Sequence, residues 1–169
     1  MSDLLLGVVP DAPIQLVDQM VERSGGVPLY AVEMMRMLLD RGAISPRPDG
    51  TFAMSSEVDD VDIPDSLHGL VGARLDQFDP EARALIADAA ILGQSFRLES
   101  LLAFRDDDPE DLRGALDGLV RTEVLSLNRD PRSPERGQYQ FVQSIIREVA
   151  HDRVSRADRL RLQIGRAHV

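Results

Sequence analysis

The chain has 169 residues, 43% of them apolar, and a formal net charge of −10, which is enough apolar material for one ordinary core or two small ones and far from a disordered composition. It contains no cysteine and no tryptophan, and all 19 basic side chains are arginine; disulfides, zinc-thiolate sites, thiol nucleophiles, a P-loop lysine and Schiff-base chemistry are therefore excluded from this stretch. No apolar run reaches about 18 residues and the start "MSDLLLGVVPDAP" has no basic region, so neither a membrane span nor a signal peptide is expected, and a cytoplasmic location is.

With aromatics at 4%, the core must rest on Leu, Ile, Val, Ala and Met, which predicts a mainly α fold. Asp11 is placed as a cap and Pro13 in the first turn of a helix whose apolar face is Ile14, Val17, Met20 and Val21. Gly25 and Gly26 end that helix. Pro28 opens a second one with two apolar stripes, Leu29, Val32, Met35, Leu39 and Tyr30, Met34, Met37, Leu38, so that cover on most sides is expected. It ends at Arg41-Gly42. Residues 45–62 are Pro-, Ser- and acid-rich and read as a linker with a short strand or turn near Thr51 to Met54.

From Pro64 a helix carries Leu67, Leu70, Val71, Leu75 and Phe78, and Asp79-Pro80-Glu81 opens another with Ala82, Leu85, Ile86, Ala89 and Leu92 inward. These two are expected to pack as an antiparallel pair. A short helix near Leu98 to Phe104 follows, then one opened by Asp108-Pro109-Glu110-Asp111 with Leu112, Ala115, Leu116, Leu119 and Val120 inward. "EVLSLN" (123–128) and "QYQFV" (138–142) read as two strands joined by "RDPRSPERG". Helices followed by such a hairpin make a winged helix. Val142, Ile145, Ile146 and Val149 then keep helical spacing, and Ser155 with Asp158 resembles a capping box for a last helix through Leu160, Ile164 and Ala167.

Three blocks, "GVPLYAVEMMRMLLDRG", "IPDSLHGLVGARLDQFDPEARALIADAAILGQSF" and "DPRSPERGQYQFVQSIIREVAHDRVSRADRLR", resemble the regulatory ATPase part of bacterial multidomain proteins in which a class III adenylate/guanylate cyclase precedes a STAND-type AAA ATPase and helical repeats. The resemblance implies that residues 1–44 are the C-terminal helices of the ATPase lid and 45–62 a linker. Residues 63–154 would then be a winged-helix domain (a three-helix core plus a β-hairpin wing) and 155–169 the start of a helical repeat. The P-loop core, and a cyclase or other effector domain, would belong to the same parent chain upstream.

The same resemblance places Gly26, Val27 and Pro28 beside a nucleotide, with small residues admitting the ligand and a φ-locked proline offering an apolar edge to the base. It also places Gln143 toward the phosphates; Arg147, one turn later on the same face, is the better phosphate candidate here. In the family a histidine often stands where this chain has Gln143, and glutamine can donate a hydrogen bond but cannot titrate. Local rules offer other readings: Gly25 as a C-cap, Pro28 as an N1 residue, Gln143 as a cap, and Arg147 paired with Glu148 or Asp152. ATP or ADP is thus expected as a ligand only of the full-length parent, and neither a cofactor nor catalysis of this stretch alone.

No metal site is expected, because His68, His151 and His168 lack ligand spacing and Asp106-Asp107-Asp108 lacks the glycine and alternation of a calcium loop. "GQSFR" (93–97) misses the nucleophile elbow, since Arg97 stands where glycine is needed. Charge is uneven: residues 1–111 carry 22 acids against 8 arginines, and residues 112–169 carry 11 arginines against 7 acids. Three function classes follow: a nucleotide-sensing regulatory module, a DNA-binding winged helix of a transcriptional regulator, and a protein-interaction scaffold. DNA is disfavoured, because Glu110, Asp111 and Asp117 accompany Arg113 and Arg121 on the third helix, and Asp130 and Glu135 dilute Arg129, Arg132 and Arg136 at the wing.

Overall fold

A computed structural model describes residues 2–55, 64, 66–103 and 105–154. The expected last helix from Ser155 to Ala167, and most of the acidic stretch before Pro64, lie outside the described residues. The fold is mainly helical with two small antiparallel sheets, and it packs as two units, Met1–Arg74 and Leu75–Val169.

The first unit is built on α1 (Ser2–Val8), α2 (Ile14–Ser24) and α3 (Pro28–Asp40), followed by β1 (Ile44–Pro46) and β2 (Phe52–Met54). Helix α1 was not anticipated. Its Leu5, with Val9 just beyond its end, joins Val17 and Met20 of α2 and Tyr30, Met34, Met37 and Leu38 of α3 in one buried cluster. Helix α3 is covered on most sides, as expected: the second stripe is buried, Leu29, Met35 and Leu39 of the first are half-buried, and Val32, 46% exposed, is the exception. Ile14, expected on the inner face of α2, is 54% exposed because it lies in the opening turn, at the margin of the cluster. Asp11 does not cap α2, which starts after Pro13 without a side-chain cap. Its carboxylate instead pairs with Arg47.

That arginine sits in the hairpin. Strands β1 and β2 pair with Ile44 opposite Met54 and Pro46 opposite Phe52, so the first part of the expected linker is regular structure, and strand β1 was missed because two prolines hid it. The turn closes through Arg47 N–H donating to Thr51 O at 2.7 Å, and the Asp49 carboxylate accepts from the Thr51 amide at 2.9 Å and its hydroxyl at 2.6 Å. Those hydrogen bonds, hydroxyl first, hold the Asp49 pKa below its ordinary value.

Helix α4 (Leu67–Asp76) begins in the first unit, where Ser66 Oγ accepts from the Gly69 amide at 3.1 Å in the manner of an N-cap. Helices α5 (Pro80–Leu92), α6 (Leu98–Leu102), α7 (Pro109–Arg121) and α8 (Ser144–Asp152) make up the second unit with β3 (Ser95–Phe96), β4 (Leu125–Leu127) and β5 (Tyr139–Phe141). The proline-led starts are as expected: Asp79 accepts from the Ala82 amide, and Asp108 from those of Glu110 and Asp111. The main partner of α5, however, is α8 rather than α4. Ala89 and Ala90 are fully buried, and such small side chains let the α8 backbone come close. The two helices run antiparallel, since Arg147 Nε donates to Ala90 O at 3.1 Å while Arg153 at the far end meets Asp76 at 2.7 and 3.2 Å.

The sheet order is β3-β5-β4, all antiparallel. Strand β3, two residues long, was not foreseen. It is anchored by Phe96, whose ring stacks on Tyr139 at 5.9 Å and tilts against Phe141 at 6.4 Å, and by the Gln94 side chain donating to Phe141 O at 2.8 Å. The hairpin loop is tied down by Asn128 Nδ2 donating to Ser133 Oγ at 3.0 Å and by Arg97 reaching the carbonyls of Pro134 and Arg136 at 3.4 Å.

Candidate functional site

The turn between α2 and α3 needs left-handed backbone at two successive residues, Gly25 at φ 52° and Gly26 at φ 83°, which glycine supplies without steric cost. Its amides are satisfied internally. Gly25 N–H donates to Glu22 O at 3.3 Å, Gly26 N–H to Ser24 Oγ at 3.3 Å and Val27 N–H to Ser24 O at 2.7 Å, while the Ser24 hydroxyl donates to Val21 O at 2.8 Å. A methyl group at Gly25 or Gly26 would meet nothing within 4 Å, so these glycines serve backbone conformation and face open space. Val27 is 47% exposed and Pro28, at N1, is exposed beside it. The elbow therefore presents a stiff aliphatic edge at the start of a helix that has no side-chain cap.

One turn into α3 lie residues that sequence reading missed. Tyr30, 2% exposed, donates its hydroxyl to Pro64 O at 2.9 Å. Glu33, 1% exposed, accepts from Arg74 Nη1 with both carboxylate oxygens, at 3.1 and 3.3 Å, and the Arg74 side chain is itself 11% exposed. The available signal was a lone carboxylate between Val32 and Met34 in an apolar helix, because a buried charge requires a partner.

Gln143 and Arg147 belong to the second unit and the elbow residues to the first. Gln143 holds the N-cap position of α8 but makes no capping bond, and its Oε1 is buried without a hydrogen-bond partner among the described residues. Arg147 pairs with neither Glu148 nor Asp152. Its Nε serves the carbonyl of Ala90, one of the last-turn carbonyls of α5, where a cation complements the helix dipole.

A hollow of about 480 Å³ opens between the start of α5, the segment before α7, and α7 itself; its rim carries Asp79, Glu81, Asp106, Asp107, Asp108 and Asp111. Arg105, also in its wall, is clasped by Asp88 and Asp107. Partial burial works against its charge, yet the hydrogen bonds to Asp107 and Asp88 outweigh that and raise its pKa above the ordinary value. Such a rim repels phosphate. Among the described residues no group of His, Asp and Glu is arranged to hold a metal ion, and no helix is long and apolar enough to cross a membrane. No family model, no curated protein and no solved structure matches the chain.

Proposed function

We propose that this chain is the lid-end and winged-helix part of a nucleotide-dependent signal-transduction ATPase, closing over ATP or ADP held by a P-loop core elsewhere in the parent polypeptide and passing that state to an effector such as a cyclase. The observation that carries the reading is the order of elements: a helical hairpin bent at Gly-Gly-Val-Pro, a short β-hairpin, then two helices, a strand, two helices and a second β-hairpin whose second strand also pairs with that single strand. That second part, helices followed by a hairpin, is compatible with a winged helix. Chemistry lies elsewhere on this reading, since the chain has no lysine for phosphate and no cysteine.

Within it, Val27 and Pro28 offer the edge against which a base would rest. The phosphate role falls to the cation Arg147, although its Nε already serves the carbonyl of Ala90, more than to Gln143, whose unpartnered atom is Oε1, an acceptor that phosphate oxygens would repel. In a polypeptide joining the parent's P-loop core to this chain, Pro28→Ala is expected to weaken ADP binding several-fold by calorimetry with unfolding unchanged. Equal affinity would remove the elbow from the site. The competing DNA reading meets exposed Glu110 and Asp111 on α7, and a wing loop braced by Arg97; fluorescence anisotropy with mixed duplex DNA at low salt should show no tight complex.

A further inference from the structure

Helix α4 is held unlike the other helices of the first unit. Among the described elements none packs along its backbone over an extended stretch, although Leu70 is 1% exposed and belongs to the α1–α3 cluster. Two of the polar contacts of Pro64 and α4 come from one turn of α3, Tyr30 to Pro64 O and Glu33 to Arg74, and between them Leu70 and Val71 are buried at 1% and 0% exposure. We propose that these two contacts form a latch: residues 64–74 dock on α3 as a separable piece that can be released while α1, α2, α3 and the β1–β2 hairpin stay folded.

The argument rests on what a buried ion pair does. Desolvating a carboxylate and a guanidinium offsets most of their mutual attraction, so such a pair adds little net stability over apolar packing; removing one partner, however, strands a charge in the interior. Docking is consequently close to all-or-none, which is the property a switch element needs. Helix α4 runs on from Arg74 through Leu75 to Asp76. None of this requires the nucleotide reading, because it concerns the chain alone.

The test is hydrogen exchange by mass spectrometry on the whole chain. Glu33→Gln, nearly isosteric, removes the charge and is expected to speed exchange of amides in 67–74 by about a hundredfold, with α2 and α3 at wild-type rates. The double variant E33M/R74M, which replaces the pair by apolar groups, is expected to restore protection. Faster exchange in α2 and α3 in parallel with α4 would overturn the proposal, since the pair would then belong to one cooperative core, and so would unchanged exchange in 67–74 or a double variant without recovery. Should Glu33→Gln fail to fold, Tyr30→Phe, which removes only the hydroxyl contact to Pro64, is read by the same criteria.

Discussion

Gly69→Ala sets two calculable effects against each other. Gly69 lies in α4, and alanine there should gain about 1 kcal/mol of helix propensity. Its new Cβ, however, would stand 2.9 Å from Pro64 Cβ and 3.4 Å from Ser66 Oγ, whereas carbon atoms rest at about 3.5–4.0 Å. Pro64 would have to retreat by roughly half an ångström or more, and it cannot do so by rotating a side chain because its ring is fused to the backbone. The Pro64 carbonyl moves with it, away from the Tyr30 hydroxyl now 2.9 Å away. Losing that hydrogen bond costs about 1 kcal/mol, and overpacking adds about 1–3 kcal/mol. The net expectation is destabilisation by about 1–3 kcal/mol, read as a lower urea midpoint at unchanged slope. In a Tyr30→Phe background no hydroxyl bond remains to be lost, so the same change should cost about 1 kcal/mol less. Stabilisation by Gly69→Ala in the wild-type background, or an equal cost in both backgrounds, would refute the reasoning.

Other predictions concern the second unit. Helix α7 ends with Glu123 at φ 56°, and Val124 N–H donates back to Leu119 O at 3.0 Å; this is the C-terminal motif that α3 closes with Gly42 at φ 68°. Glu123→Gly should therefore stabilise by about 1 kcal/mol, seen as a higher melting temperature, and a lower one would show that the glutamate's own contacts outweigh its backbone strain. Burial, then the negative charge of Asp117, raises the Tyr139 pKa above its ordinary 10.0. The fold favours the protonated phenol, so its contribution is complete below pH 10.0 and is lost as pH rises through the higher folded-state value. The midpoint of the tyrosinate absorbance that a Tyr139→Phe variant loses should accordingly lie above pH 10.0; a midpoint below that value would contradict it.

The legible parts of the fold are those governed by local rules. Asp79-Pro80 and Asp108-Pro109 marked their helices because cap, fixed φ and first-turn acid act within four residues. Strands of two or three residues, such as β1 and β3, escaped because each depends on a distant partner: Ile44 on Met54, and Phe96 on Tyr139. The same holds at the candidate site. The Gly25-Gly26-Val27-Pro28 turn could be read directly, with its helix end and helix start. Glu33 and Arg74, 41 positions apart, could not be joined by any periodicity, and only the oddness of a carboxylate among Val32, Met34 and Met35 hinted at a counter-ion.

On the reading proposed above, in which the elbow meets a base, its closed hydrogen bonding bears on selectivity. The amide protons of Gly25, Gly26 and Val27 are all committed to α2 acceptors, and Pro28 has none. A purine resting on Val27 and Pro28 would thus find no donor at those four residues for its ring nitrogens or a 6-oxo group. Such an edge feels the outline and flatness of a base, and telling adenine from guanine by their acceptors would fall to other parts of the molecule.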